Sequence, residues 1–199
     1  MKNGPFTDWN ETGFKKQKGT YVNDKLDGTY FRWFNHGEYS SITTYKDGVI
    51  HGVMRYYSPT GVITSEEYYF FGKLKFRFDY HDNGFLKQIQ IFKSDIVVFQ
   101  KNWNKLGLDI TDDEFKFGLR EVKELYPSGN LKTEQTYKKD ILHGLSRHFG
   151  EDHALISLSL YYEGQHMFNR KTDENNEFID TLFPDSPLQA VVHIEEDEN

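Results

Sequence analysis

Two short stretches invite a chemical reading. Residues 43–63 read TTYKDGVIHGVMRYYSPTGVI and residues 135–155 read QTYKKDILHGLSRHFGEDHAL, so His51–Gly52 and His143–Gly144 recur ninety-two positions apart in matching contexts. Histidine changes charge near neutral pH and is a common metal ligand, so a repeated His-Gly could mark a proton-transfer or metal site. Replacement within the chain argues otherwise. The same place holds Asp27 in KLDG and Lys75 in KLKF, and neither chemistry survives that exchange. The histidines therefore read as turn punctuation. None of the eight histidines forms His-x-x-x-His with a supporting acid. The acidic DITDDEF (109–115) lacks the sharp-turn glycine and the bidentate Glu at position twelve of a calcium loop, and reads as a solvated strand. Glu66 and Glu67 are neighbours on a predicted strand, so they point to opposite faces rather than forming a carboxylate pair. There is no cysteine, hence no thiolate nucleophile or soft metal ligand, and no Gly-x-Ser-x-Gly, P-loop or dinucleotide fingerprint occurs. These residue types predict no catalytic residue, no cofactor and no metal.

Ninety-two is four times twenty-three, a period that signals a repeat array. A glycine marks each unit: Gly37, Gly61, Gly84, Gly107 and Gly129, with His153 in the same place. Eight residues after each marker stand Tyr45, Tyr69, Phe92, Phe115, Tyr137 and Tyr161. Four before it stand Trp33, Tyr57, Tyr80, Trp103, Leu125 and Phe149, and two after it stand Tyr39, Ile63, Leu86, Asp109, Leu131 and Leu155. A second turn signal follows at Asp24, Gly48, Gly72, Asp95, Gly118 and Asp140. Each unit is thus turn, strand, turn, strand, and runs such as FRFDY and LKQIQIF have strand length and composition. Because one hairpin is marginal in water, neighbours must stack. The prediction is an all-β fold, an elongated antiparallel ladder of about six stacked hairpins. Strict alternation puts the +2 and +8 positions on one face with the −4 aromatics nearby. That makes the +8 aromatics the stabilising spine, with Tyr69→Ala or Phe92→Ala costing about 3–5 kcal/mol.

The net charge of −7 is uneven: residues 171–199 hold nine Asp and Glu against one Lys, leaving about +1 for the rest. A near-neutral body has no basic footprint for a phosphate backbone, which excludes nucleic acid as a partner. No stretch approaches the ~18 consecutive apolar residues of a membrane span, and MKNGPFTDWNETGF lacks the apolar centre of a signal peptide, so the cytoplasm is the expected compartment.

The unit, roughly Tyr-x-x-Gly-x-x-His-Gly-x-x-x-x-Tyr-Tyr-x-x-Gly-x-Leu, resembles the MORN-variant repeat of YwqK-like bacterial proteins. The residues that carry the resemblance are YKDGVIHGVMRYYSPTGVI, YKKDILHGLSRHF and YPSGNLKTEQTYKKD; in the fourth unit only the aromatics and Gly107 remain. The resemblance implies hairpin ladders, and members are commonly labelled antitoxins of toxin–antitoxin pairs. Related MORN repeats serve as scaffolds and lipid-contact modules. The expected organisation is a cap or flexible lead over 1–17, the array over 18–165, and an acidic tail over 166–199 whose FIDTLF and LQAVVHI segments cap an edge or dock a partner.

The leading expectation is a protein-binding module whose partner could be a toxin; the alternative is a structural or membrane-surface scaffold. A scaffold on anionic lipid would want a polybasic cluster, and none is present. The contact face should vary from unit to unit. One column does so, reading Arg32, Tyr56, Asp79, Asn102, Glu124 and His148, on the face opposite the −4 aromatics.

Overall fold

A computed structural model describes residues 1–173 and 177–182. The chain divides into two compact units between Ile110 and Thr111, each built on one antiparallel sheet. In the first the strands are β1 (Gly4–Trp9), β2 (Lys15–Val22), β3 (Lys25–Leu26), β4 (Gly28–Trp33), β5 (Tyr39–Lys46), β6 (Val49–Tyr57), β7 (Ile63–Phe70), β8 (Lys73–Tyr80), β9 (Leu86–Lys93) and β10 (Ile96–Asn102). They form a ten-stranded sheet in chain order, with the two-residue β3 attached to β2. In the second unit a four-residue helix, α1 (Asp113–Lys116), precedes β11 (Leu119–Leu125), β12 (Leu131–Lys138), β13 (Ile141–Phe149), β14 (Leu155–Tyr162), β15 (Gln165–Thr172) and β16 (Phe178–Leu182). These six also pair in chain order. The result is the all-β antiparallel hairpin ladder that the period predicts.

The turns are where the local sequence dictates structure. All six marker positions have positive φ, including His153 at 69°, and so do all six second-turn positions from Asp24 to Asp140. Reversing a strand in so few residues needs a left-handed backbone, which glycine adopts without strain and Asp tolerates. Successive turns are then tied sideways, one repeat apart. His36 Nε2 meets the Pro59 carbonyl at 2.9 Å and His81 Nε2 the Trp103 carbonyl at 2.9 Å. The Tyr126 hydroxyl donates to the Phe149 carbonyl at 2.9 Å, and the Asn130 amide to the Glu151 carbonyl at 2.8 Å.

Strict alternation fails at two recurrent points. One lies beside the second turn, as between Tyr68 and Tyr69 and between Leu160 and Tyr161, and the other flanks the marker. At the marker the register shifts between Arg32 and Trp33, Tyr56 and Tyr57, Asp79 and Tyr80, Glu124 and Leu125, and His148 and Phe149. Position −4 pairs with +2, but −5 pairs with +4. This β-bulge adds one residue to the strand that follows the marker and reverses its parity. The +8 aromatics that stand on strands therefore lie on the face opposite the −4 aromatics, which corrects the expected grouping; Phe115 falls in α1 instead. Trp33 contacts Phe31 and Tyr39 at 5.9 and 5.3 Å between ring centroids, whereas Tyr45 meets Tyr30 at 5.9 Å on the other face. The spine is made by positions +5, +7, −6 and −8. Tyr68, Phe76, Phe78, Ile89 and Ile91 are at most 1% exposed, while Tyr69 and Phe92 are only half-buried.

DITDDEF is not the solvated strand expected. Asp109 makes one bridge to Trp103, and the chain then turns into α1. The ladder register would place Asp112 and Glu114 at +5 and +7, the buried positions filled by Ile89 and Ile91 one repeat earlier. In that register Asp112 would face Lys101, as Glu66 faces Arg55, but Glu114 would face Phe99, where an unpaired carboxylate is costly; the ladder breaks here and a second sheet begins at β11.

Hairpins continue past both ends of 18–165: the lead contains β1 and the start of β2, and β15 and β16 occupy part of the expected tail. The LQAVVHI segment, with the capping or docking role expected of it, lies outside the described residues.

Candidate functional site

The six variable residues fall into two register rows, one on each sheet. In the ten-stranded sheet Arg32, Tyr56, Asp79 and Asn102 belong to a continuous row that reads Asp8, Gln17, Arg32, Ser41, Tyr56, Ser65, Asp79, Gln88, Asn102. In the six-stranded sheet Glu124 and His148 share a row with Thr133, Ser157 and Lys171. Glu124 stands on the edge strand β11 and is exposed, and His148 is half-buried. The column is thus resolved into a group of four and a group of two.

The longer row is held by side-chain hydrogen bonds. Gln17 donates to Asp8 at 2.5 Å and accepts from the Tyr30 hydroxyl at 2.5 Å, while Arg32 Nε donates to the Tyr30 oxygen at 3.3 Å. At the other end Gln88 donates to Asn102 at 2.8 Å. Beside the row lies a second line of polar groups. Glu67, 5% exposed, accepts from Arg77 Nε and from the Tyr69 hydroxyl, both at 2.8 Å. Gln90 donates to Gln100 at 2.6 Å. Burial, followed by the hydrogen bond to Glu67, pushes the Tyr69 hydroxyl far above its ordinary pKa. Burial and the nearby Glu67 charge also raise that of Tyr56. Both hydroxyls stay protonated and act as donors. The Arg32 guanidinium is held charged chiefly by its hydrogen bond to Tyr30.

Arg32 and Tyr56 are the most exposed of the four, and Asp79 on β8 and Asn102 on β10 are half-buried. At the β1 end the row runs into a cleft of about 420 Å³ lined by Lys2, Phe6, Asp8, Gln17 and Tyr21 among others. The arrangement offers oriented donors, acceptors, an aromatic ring and a guanidinium along one face, which is chemistry for recognition. Sequence reasoning missed Glu67, Arg77 and Gln17 as members of this face. Ser41 and Ser65, visible in the sequence only as small spacers, are the direct neighbours of the variable residues. Their −5 to +4 pairing was the signal, and it needs the bulge to be read.

The repeated histidines serve elsewhere. His51 Nδ1 accepts the Phe71 backbone N–H, and His143 Nδ1 accepts that of Glu163, each at 3.3 Å. Both rings tie one hairpin turn to the next. Among the described residues no group of three His, Asp or Glu side chains is placed to hold a metal ion, and no helix is long and apolar enough to cross a membrane.

Ladder and turns together define an all-β hairpin-repeat protein of the MORN-like kind. Residues 50–70 and 121–139 match the MORN repeat variant. Each matched segment spans the two strands around one marker glycine, β6–β7 in one sheet and β11–β12 in the other. Comparison with curated proteins returns no significant match.

Proposed function

We propose that the protein is a non-catalytic binding module that holds a protein partner on the Arg32–Tyr56–Asp79–Asn102 row. The observation that carries this reading is the register itself. Four side chains that differ from repeat to repeat alternate with Ser41, Ser65 and Gln88 along one face, in a row that runs through Gln17 and Asp8 into a cleft. Charges of both signs stand in the row, which favours a protein surface over a phosphate backbone. Exposed Arg and Tyr are the types that most often dominate binding energy. The particular form suggested by the repeat resemblance is an antitoxin that covers a toxin in the cytoplasm.

The test begins with a pull-down using the full chain, and with co-expression of any small toxic reading frame that neighbours its gene. Arg32→Ala and Tyr56→Ala should each weaken the captured complex by about 1 kcal/mol or more with the unfolding midpoint unchanged. Glu124→Ala, on the other sheet, should leave it intact. If both row variants bind like the parent, the reading is wrong.

A further inference from the structure

Among the described residues the two sheets end in four edge strands: β1 and β10 in one, β11 and β16 in the other. Three are unsuited to pairing with a second copy of themselves. β1 contains Pro5, which lacks a backbone donor. β16, reversed on itself about its middle residue, would set Asp180 against Asp180, and like charges directly opposed destabilise a strand pair. On β10 the open side is already used at one end, where the Ile110 N–H donates to the Asn102 carbonyl at 3.0 Å and Trp103 bridges Asp109.

β11 differs. Its sequence, Leu-Arg-Glu-Val-Lys-Glu-Leu, is complementary to its own reverse. Antiparallel pairing about Val122 places Arg120 opposite Glu124 of the second copy, Glu121 opposite Lys123 and Leu119 opposite Leu125. Every charge meets its opposite, and every apolar residue meets an apolar one. Charges on an edge strand ordinarily keep sheets apart. Here the same charges, inverted by a two-fold axis, attract.

The backbone phase agrees. The Tyr126 N–H donates to the Asn130 carbonyl across the turn to β12 at 2.8 Å. Alternation then turns the backbone groups of Glu124, Val122 and Arg120 toward β12 and those of Leu125, Lys123 and Glu121 away from it. In a self-pair centred on Val122, Glu121 and Lys123 are the opposed residues that exchange N–H···O=C bonds. Side-chain exposure fits as well. Five of the seven residues of β11 are exposed, with Leu125 at 60%, and among the described residues β12 is its only strand neighbour.

We infer that the protein self-associates by antiparallel pairing of β11 with β11 of a second copy, joining two six-stranded sheets into one across a two-fold axis at Val122. Strand addition of this kind supplies backbone hydrogen bonds for affinity and side-chain pairs for register. A single seven-residue edge buries less than the roughly 1,600 Å² of a standard interface, so the dimer is weak and concentration-dependent. The inference is independent of the binding row, which lies on the other sheet.

Sedimentation equilibrium of the full chain over a wide concentration series tests it. The parent should show a monomer–dimer equilibrium. Arg120→Glu and Glu124→Arg should each weaken it about tenfold or more, since both symmetric contacts become repulsive. The double variant Arg120→Glu/Glu124→Arg should dimerise again, and an equimolar mixture of the two single variants should form a heterodimer. Unfolding midpoints check that each variant is folded; should a single variant fail to fold, the double variant alone decides. A parent that stays monomeric throughout, single reversals without effect, or a folded double variant that remains monomeric would each overturn the pairing.

Discussion

One register row of the buried face reads Lys18, Phe31, Ile42, Arg55, Glu66, Phe78, Ile89, Lys101 in the ten-stranded sheet. The same row in the six-stranded sheet reads Lys123, Glu134, Arg147, Leu158, Arg170, Asp180. In the first, apolar pairs flank one ion pair, Arg55 to Glu66 at 2.7 Å, with the Tyr80 hydroxyl completing the carboxylate at 2.5 Å. In the second, ionic groups predominate. Arg147 Nε lies 2.9 Å from Glu134, with Lys123 at 3.5 Å, and Arg170 grips Asp180 through two bonds of 2.7 Å. Position in the ladder thus does not demand an apolar residue. It demands that neighbours in the row suit each other, because a buried charge is tolerable only when paired and hydrogen-bonded.

The comparison would break first in the apolar stretch. Phe78→Ala should cost about 3–5 kcal/mol by loss of the ring and opening of a cavity, read from denaturant midpoints. Tyr69→Ala, on the half-exposed side of the same sheet, should cost no more than about half of that. Equal costs would mean that the bulge does not set which aromatics form the core.

In the ionic stretch the damage should have a different character. Glu134→Ala leaves Arg147 and Lys123 without their shared carboxylate and should cost about 3 kcal/mol. Replacing both members, Glu134→Leu with Arg147→Met, should recover most of the loss, because no buried charge is then stranded and the half-exposed Lys123 keeps Glu121 at 3.6 Å. If the double variant is as unstable as the single one, packing rather than pairing governs this row.

The smallest effect concerns the turn edge. His51→Ala should cost less than about 1 kcal/mol, the worth of one ordinary hydrogen bond. Burial holds the His51 pKa below its ordinary value, and Nδ1 must be unprotonated to accept the Phe71 N–H. The folded state therefore favours the neutral ring. Its contribution is complete above the unfolded value of about 6.5 and is lost as the pH falls through the lower folded value. Stability curves of the parent and the alanine variant should converge on acidification. A gap that widens instead would show that the protonated ring is the stabilising form.

Much of the fold was legible in the chain because its turns are local problems. A left-handed residue is needed at each reversal, so the marker and second-turn columns could be read from single positions, even where His153 replaces glycine. The opposite-face reading of Glu66 and Glu67 held for the same reason, since it needs only the pleat. Arg77 with Glu67, and Arg55 with Glu66, were not legible as pairs. A strand carboxylate reads as solvated until its cross-strand neighbour is known, and that neighbour depends on the bulge.

By itself the sequence determined the repeat, the positions of its turns and the class of fold, because φ preference and a twenty-three-residue period are properties of the chain alone. Tertiary structure decided which face of each strand is buried, since one inserted residue in a backbone ladder reverses the parity of every side chain beyond it. It also decided where the ladder stops. Glu114 has ordinary strand neighbours in sequence, and only the register reveals that it would enter a buried row opposite Phe99, with no cation to meet it. The proposed binding row has the same origin: Arg32, Tyr56, Asp79 and Asn102 are scattered along the chain, and they come into one row through the hydrogen-bond register of seven strands.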